Sequence, residues 1–250
     1  MNLNQTFSVS IKADRLAVGS TLLFKNIDFT LEKNEWTCLL GPSGVGKTSL
    51  LRIIAGLVPN IKNVLIRCSD NNPINGRISY MAQDDLLLPW LNVLDNVLIG
   101  FRLRSEQADK SKAENLIEIV GLSDNINDLP YKLSGGMRQR VALIRTIMEN
   151  RPVVLMDEPF SSLDFITRVK MQEMAAELLN DRTVLLITHD PMEALRLGDR
   201  IYVLSGRPVE FTKPIIPEGT KPRSMTDRQL IKKQASLLMQ LSSASNSGPK

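Results

Sequence analysis

Apolar and polar residues alternate through "FSVSI" at residues 7–11 and again through "LLFKNIDFTLEKNEWTCLL" at 22–40. Period-2 alternation is the signature of strands with one buried face, and "KN" and "EKNE" are read as the turns between successive strands. The run "EWTCLL" ends at Gly41, and "TSLLRIIAGL" then changes to helical spacing. Residues 59–76, rich in Asn, Pro and Gly, form loops around a short strand "NVLIR", and a strand "RISYMA" leads into Gln83. From about residue 84 to 150 the pattern is helical: "NVLDNVLIGFRLR", "ADKSKAENLIEIVGL" and the segment after "LSGGM". Strands return as "PVVLM", "TVLLI" and "RIYVL", with the helical "TRVKMQEMAAELL" between the first two. Strands separated by helices of this length predict an α/β core of mostly parallel strands, with a helical insert in its middle third. The main domain is expected over 1–205 and a short C-terminal extension over 206–250, carrying one helix, "DRQLIKKQASLLMQL", and a disordered end from "SSASNSGPK".

Composition narrows the class. The longest apolar runs, such as "TVLLI", suit buried strands and fall far short of a bilayer span. The N-terminus has no charged leader followed by an apolar stretch, so the chain is expected to stay inside the cell. Two cysteines, Cys38 and Cys68, and a single histidine offer too few ligands for a zinc site and too few thiols for a disulfide framework. The formal net charge of +4 is unevenly placed: from Gly206 onward there are eight Lys and Arg against three Asp and Glu. The first 205 residues are therefore nearly neutral, which argues against a nucleic-acid partner.

"GPSGVGKT" matches the phosphate-loop pattern G-x-x-x-x-G-K-[ST] in full, between a strand and a helix. In that context Gly41, Pro42, Ser43, Gly44, Val45, Gly46, Lys47, Thr48 and Ser49 turn backbone N–H groups toward a polyphosphate, and the helix dipole favours its charge. Lys47 supplies a positive charge to the β and γ phosphates and Thr48 a hydroxyl to Mg²⁺. Asp157 and Glu158 end an apolar strand, where Asp157 suits Mg²⁺ and Glu158 the polarising of an attacking water. His189 follows the strand "TVLLIT", at the edge where open α/β sheets bind ligands.

These motifs resemble the nucleotide-binding subunit of an ATP-binding cassette (ABC) transporter. Gly41–Thr48 is similar to the Walker A motif, Val153–Glu158 to Walker B with its catalytic glutamate, and "LSGGM" at Leu133–Met137 to the family signature. Gln83 matches the Q-loop, Ser161, Ser162, Leu163 and Asp164 the D-loop, and His189 the switch histidine. The resemblance implies a P-loop NTPase core with an N-terminal antiparallel β subdomain. It also implies Mg²⁺ as cofactor, held by Thr48, Gln83 and Asp157, with ATP as substrate and Glu158, His189 and Gln83 acting in catalysis.

The resemblance explains a second glycine-rich turn. In the family two copies pair head to tail, and each ATP lies between one copy's Walker A loop and the other's signature, here Ser134, Gly135 and Gly136. One departure stands out: the family's adenine-stacking aromatic falls at Val18, so base selectivity is expected to be loose. The stretch "MAQDDLLLPWLNVLDNVLIG" and the short tail resemble importers of the nitrate, sulfonate and taurine group, which include transporters of thiamine pyrimidine precursors. That implies an integral membrane permease, an extracytoplasmic solute-binding protein and a place on the cytoplasmic face of the inner membrane. "LLLPW" reads equally as a partner groove or as internal packing. An exporter or lipid-transport complex shares the catalytic motifs and stays open; a soluble ABC ATPase acting on nucleic acid is the remoter alternative, since it calls for paired cassettes or a long coiled-coil insertion, and the sequence shows neither.

Overall fold

A computed structural model describes residues 5–18, 21–59, 61, 63–206 and 208–246. The first strands, β1 (Val9–Val18) and β2 (Thr21–Leu31), form an antiparallel pair, and β4 (Leu65–Cys68) joins the other side of β1. A second sheet runs in the order β5 (Ile78–Met81), β6 (Val153–Asp157), β7 (Thr183–Thr188), β3 (Trp36–Leu40), β8 (Arg200–Ser205) and β9 (Glu210–Phe211). Its strands are parallel except β9, which returns antiparallel along β8. The α/β architecture, with a parallel and an antiparallel sheet, is the one anticipated.

The central strands are apolar on both faces because both faces are covered. Trp36, Cys38 and Leu40 of β3, with Val154, Met156, Val184, Leu186, Ile201 and Val203, belong to one core. The alternate residues Leu39, Val153, Leu155, Leu185, Ile187 and Leu204 belong to another. The first core is completed by α4 (Gly135–Met148), α5 (Phe165–Leu178), α6 (Pro191–Leu197) and α7 (Arg228–Asn246). The second is closed by the antiparallel sheet and α1 (Lys47–Ile54), whose Leu50, Leu51, Ile53 and Ile54 point into it. Between β5 and β6 the chain forms α2 (Val93–Leu103), α3 (Lys110–Ile119) and then α4.

Three details depart from the pattern reading. Lys25 and Asn26 are not a turn: β2 passes through them, with Asn26 at φ 51, and the pairing with β1 continues on either side as Arg15 with Lys25 and Ala13 with Ile27. A single left-handed residue bends a strand without reversing it. Helix α7 continues to Asn246, into the segment expected to lack structure, with Leu230 and Leu237 packed in the core; residues 247–250 lie outside the described residues. "LLLPW" divides: Leu87 is buried, whereas Leu86 and Trp90 are 61% and 70% exposed. Buried Asn96 holds that loop, accepting from the Leu88 N–H and donating to the carbonyls of Leu88, Leu91 and Asn92.

Candidate active site

Register puts the candidate residues on one edge. Leu40 of β3 lies level with Thr188 of β7, Asp157 of β6 with Ile187, and Met81 of β5 with Met156. The residues that follow these strands, Gly41, His189, Glu158 and, two positions beyond Met81, Gln83, therefore share the carboxyl edge of the parallel sheet, where a ligand meets loops instead of strand backbone.

The loop from Gly41 turns through two left-handed glycines, Gly44 at φ 76 and Gly46 at φ 101. Gly46 is fixed twice over. It precedes the first turn of α1, and a Cβ there would lie 3.1 Å from the buried Phe24 ring. No side-chain acceptor caps α1, which leaves its first N–H groups directed at the space above the loop. Lys47 is only 5% exposed and donates to the carbonyls of Gly41 at 2.7 Å and Pro42 at 2.8 Å. Burial lowers its pKa, and the charges of Glu158 and Asp157 act against that shift.

Asp157 is buried and its carboxyl is pushed above the usual carboxylate range, first by burial and also by Glu158, while a hydrogen bond from Thr48 acts the other way. Its Oδ2 is buried with no hydrogen-bond partner. A carboxylate oxygen left over beside a hydroxyl is a donor set that suits a hard cation such as Mg²⁺, which keeps much of its shell as water and phosphate oxygen. Glu158 leaves the strand at φ 48, an uncommon left-handed conformation for a non-glycine residue, stabilised by its N–H donating to the Ile187 carbonyl at 2.9 Å. This turn brings Glu158 Oε2 to 3.0 Å from His189 Nδ1.

The signature residues occupy a different setting. Ser134 caps α4, its hydroxyl accepting from the Met137 N–H at 3.2 Å, and both Ser134 and Gly135 are exposed. Behind them the motif is seated firmly: a Cβ on Gly136 would meet the Ser162 carbonyl at 3.3 Å, and Gln139 Nε2 donates to the Pro159 carbonyl at 3.0 Å. Arg138 holds the Leu133 carbonyl at 2.9 Å and Asp85 at 2.9 Å. Asp164 closes the segment Ser161–Asp164 by capping α5 through the Thr167 N–H. Gln83 is exposed, and Val18 ends β1 with its side chain outside the described residues.

Three contributors escaped sequence reading: Phe24 behind Gly46, and Gln139 and Arg138 behind the signature. Each acts through a contact distant in sequence. Only the out-of-place polarity of Gln139, which is buried, was a usable signal. Cys38 and Cys68 are buried free thiols, and burial raises both pKa values.

The sequence profile of the ABC transporter family matches residues 24–161. The aliphatic sulfonates import ATP-binding protein SsuB 1 of Rhodococcus jostii is 44% identical over 229 residues, covering 90% of each chain. The taurine import ATP-binding protein TauB of Pelagibacter ubique is 41% identical over 220 residues, 85% of this chain and 80% of that one. Among solved structures, the dimeric post-hydrolysis state of the ATP-binding cassette MJ0796 with ADP and Pi superposes with a TM-score of 0.73 at 26% identity, covering 85% of this chain and all of the other. With this fold and these matches, the chain belongs to the ABC transporter family, as its ATPase cassette.

Proposed function

We propose that the chain energises an importer for a small solute, working as two identical copies that enclose two nucleotides beneath a membrane permease. The observation that carries this reading is the split between a deeply set Lys47 with Asp157, Glu158 and His189 on one edge, and the exposed donors of Ser134 and Gly135 on another element.

The loop Gly41–Ser49 and the first amides of α1 wrap the phosphates, and the Lys47 ammonium, with three donors, adds a charge-assisted contact. Thr48, Asp157 and Gln83 would hold Mg²⁺, which when bound neutralises charge on the phosphoryl oxygens. Glu158 accepts the proton of the attacking water, and His189 orients the Glu158 carboxylate. Ser134, Gly135 and Gly136 of the second copy donate to the γ-phosphate. Cleavage therefore removes the contacts that favoured closure. Ser161–Asp164, packed against the signature, form part of the pairing surface. The similarity to sulfonate and taurine import ATP-binding proteins supports the import reading, in which a permease and an extracytoplasmic binding protein work with this subunit at the cytoplasmic face of the inner membrane. Among the described residues no helix is long and apolar enough to cross a membrane.

The test is solution scattering of the Glu158→Gln variant with Mg-ATP, for which a dimer is expected. Monomers alone, even with the permease supplied, would overturn the paired arrangement. Direction is tested separately in reconstituted membranes. Import is supported if an extracytoplasmic binding protein loaded with its solute, taurine and aliphatic sulfonates being the first tried, stimulates hydrolysis, and stimulation by solute on the cytoplasmic side alone would favour export.

A further inference from the structure

His189 has a 57% exposed side chain, so packing around the ring does little to hold it. Its position is inherited from the turn Thr188–Asp190, and both ends of that turn are tied to one residue, Glu193 of α6. The buried Glu193 carboxyl faces the Thr188 hydroxyl, which draws its pKa down and itself accepts from the Asp190 N–H at 3.0 Å. The Glu193 backbone N–H reaches the Asp190 carboxylate at 3.4 Å, beside the Met192 N–H at 2.8 Å. On the other side Gln172 of α5 donates to Glu193 Oε2 at 3.2 Å and accepts from Arg196 at 2.7 Å. Arg196 is itself held by Glu173 at 2.6 Å and the Arg223 carbonyl at 3.1 Å.

A buried carboxyl gains little stability over an apolar side chain of its volume, while a fully satisfied buried network fixes orientation. We propose that Glu193 is a positioning residue: anchored by Gln172, it locks the turn that presents His189 and so sets the 3.0 Å contact between His189 and Glu158. This rests on the roles given above to His189 and Glu158. Burial pushes the Glu193 carboxyl up to about 8, and Asp190 pushes the same way; Thr188, Gln172 and Arg168 pull it down. The other ionisable groups near it are the Cys38 thiol, coupled to it through charge, and Arg196, one link further through Gln172. Glu193 is therefore a neutral acid near pH 7, and an amide reproduces its hydrogen bonds.

The experiment measures single-turnover hydrolysis and, separately, Mg-ATP binding in the full chain. Glu193→Ala is expected to slow hydrolysis about a hundredfold, the scale of a small misplacement in a catalytic array, with binding unchanged. Glu193→Gln is expected to keep the rate at neutral pH and to lose the alkaline fall that ionisation of Glu193 imposes on the unmodified chain. Gln172→Leu, which cuts the anchor from the other helix, should reproduce the Ala phenotype if Glu193→Ala fails to fold. In a His189→Ala background Glu193→Ala should add nothing. Normal turnover in Glu193→Ala while His189→Ala is impaired would overturn the proposal alone, as would additive losses or a Gln variant as slow as the Ala variant. Normal turnover in His189→Ala would overturn the role of His189 and this proposal with it.

Discussion

The Walker A loop and the signature are both glycine-rich turns that start a helix, yet the fold treats them in opposite ways. Around Gly41–Ser49 the chain supplies its own surroundings: Phe24 presses on Gly46, Lys47 is buried against its own carbonyls, and the Thr48 hydroxyl bonds Asp157. Around Leu133–Met137 the chain supplies only a back. Gly136 rests on Ser162 and Leu163, while Ser134 and Gly135 are exposed. One turn has its charges already in place within the chain; the other leaves its donors exposed, which in the arrangement proposed above is where a second copy's nucleotide meets them. Substitutions in the first turn should therefore damage binding or the fold itself. In the second they should leave the fold intact and damage only what two copies do together.

The largest effect tests the first half. Lys47→Ala is expected to lower hydrolysis by at least about a thousandfold, from lost phosphate charge compensation, and to weaken nucleotide binding measured by fluorescence titration. The sharpest test of the difference is mixing. Lys47→Ala and Ser134→Arg chains, each inactive alone, should regain hydrolysis when combined, because one of the two sites in the mixed pair then joins an intact loop to an intact signature. No recovery in a pair shown to form by native mass spectrometry would break the comparison.

A third test substitutes a glycine on each side. Gly46→Ala forces a side chain into φ 101 against Phe24, and should cost about 2 kcal/mol or more, read as a fall of several degrees in Tm. Gly135→Ala meets only the Arg138 guanidinium, at 3.9 Å, so Tm should hold while turnover falls. The smallest effect concerns pH. Glu193, beside the catalytic edge, has a folded pKa raised from an ordinary 4.5 to about 8. Its favourable contribution is complete below pH 4.5 and is lost as pH rises through 8, so Tm should decline across that window. Glu193→Gln should flatten the decline and Gly135→Ala should keep it.

Legibility followed the range of the interactions. The parallel strands were readable because "WTCLL", "VVLMD" and "TVLLIT" are apolar throughout, and only a sheet covered on both faces needs that. Lys25-Asn26 misled, since a turn and a one-residue left-handed bend use the same polar residues; pairing with β1 decides between them. The last helix was legible in its middle, where Leu230 and Leu237 keep helical spacing, and not at its end, where Ser and Asn carry no periodic signal.

By itself the sequence determined which chemistry this chain can carry. A phosphate loop, a pair of strand-end carboxylates and a capped glycine turn are local, because backbone conformation and helix ends are set by neighbours along the chain. Tertiary structure decided which of these groups meet. Strand register laid Gly41, Glu158 and His189 on one edge, packing sealed Lys47 inside, and the placement of α4 turned Ser134 outward. Those outcomes depend on contacts between residues far apart in sequence, which no local pattern encodes.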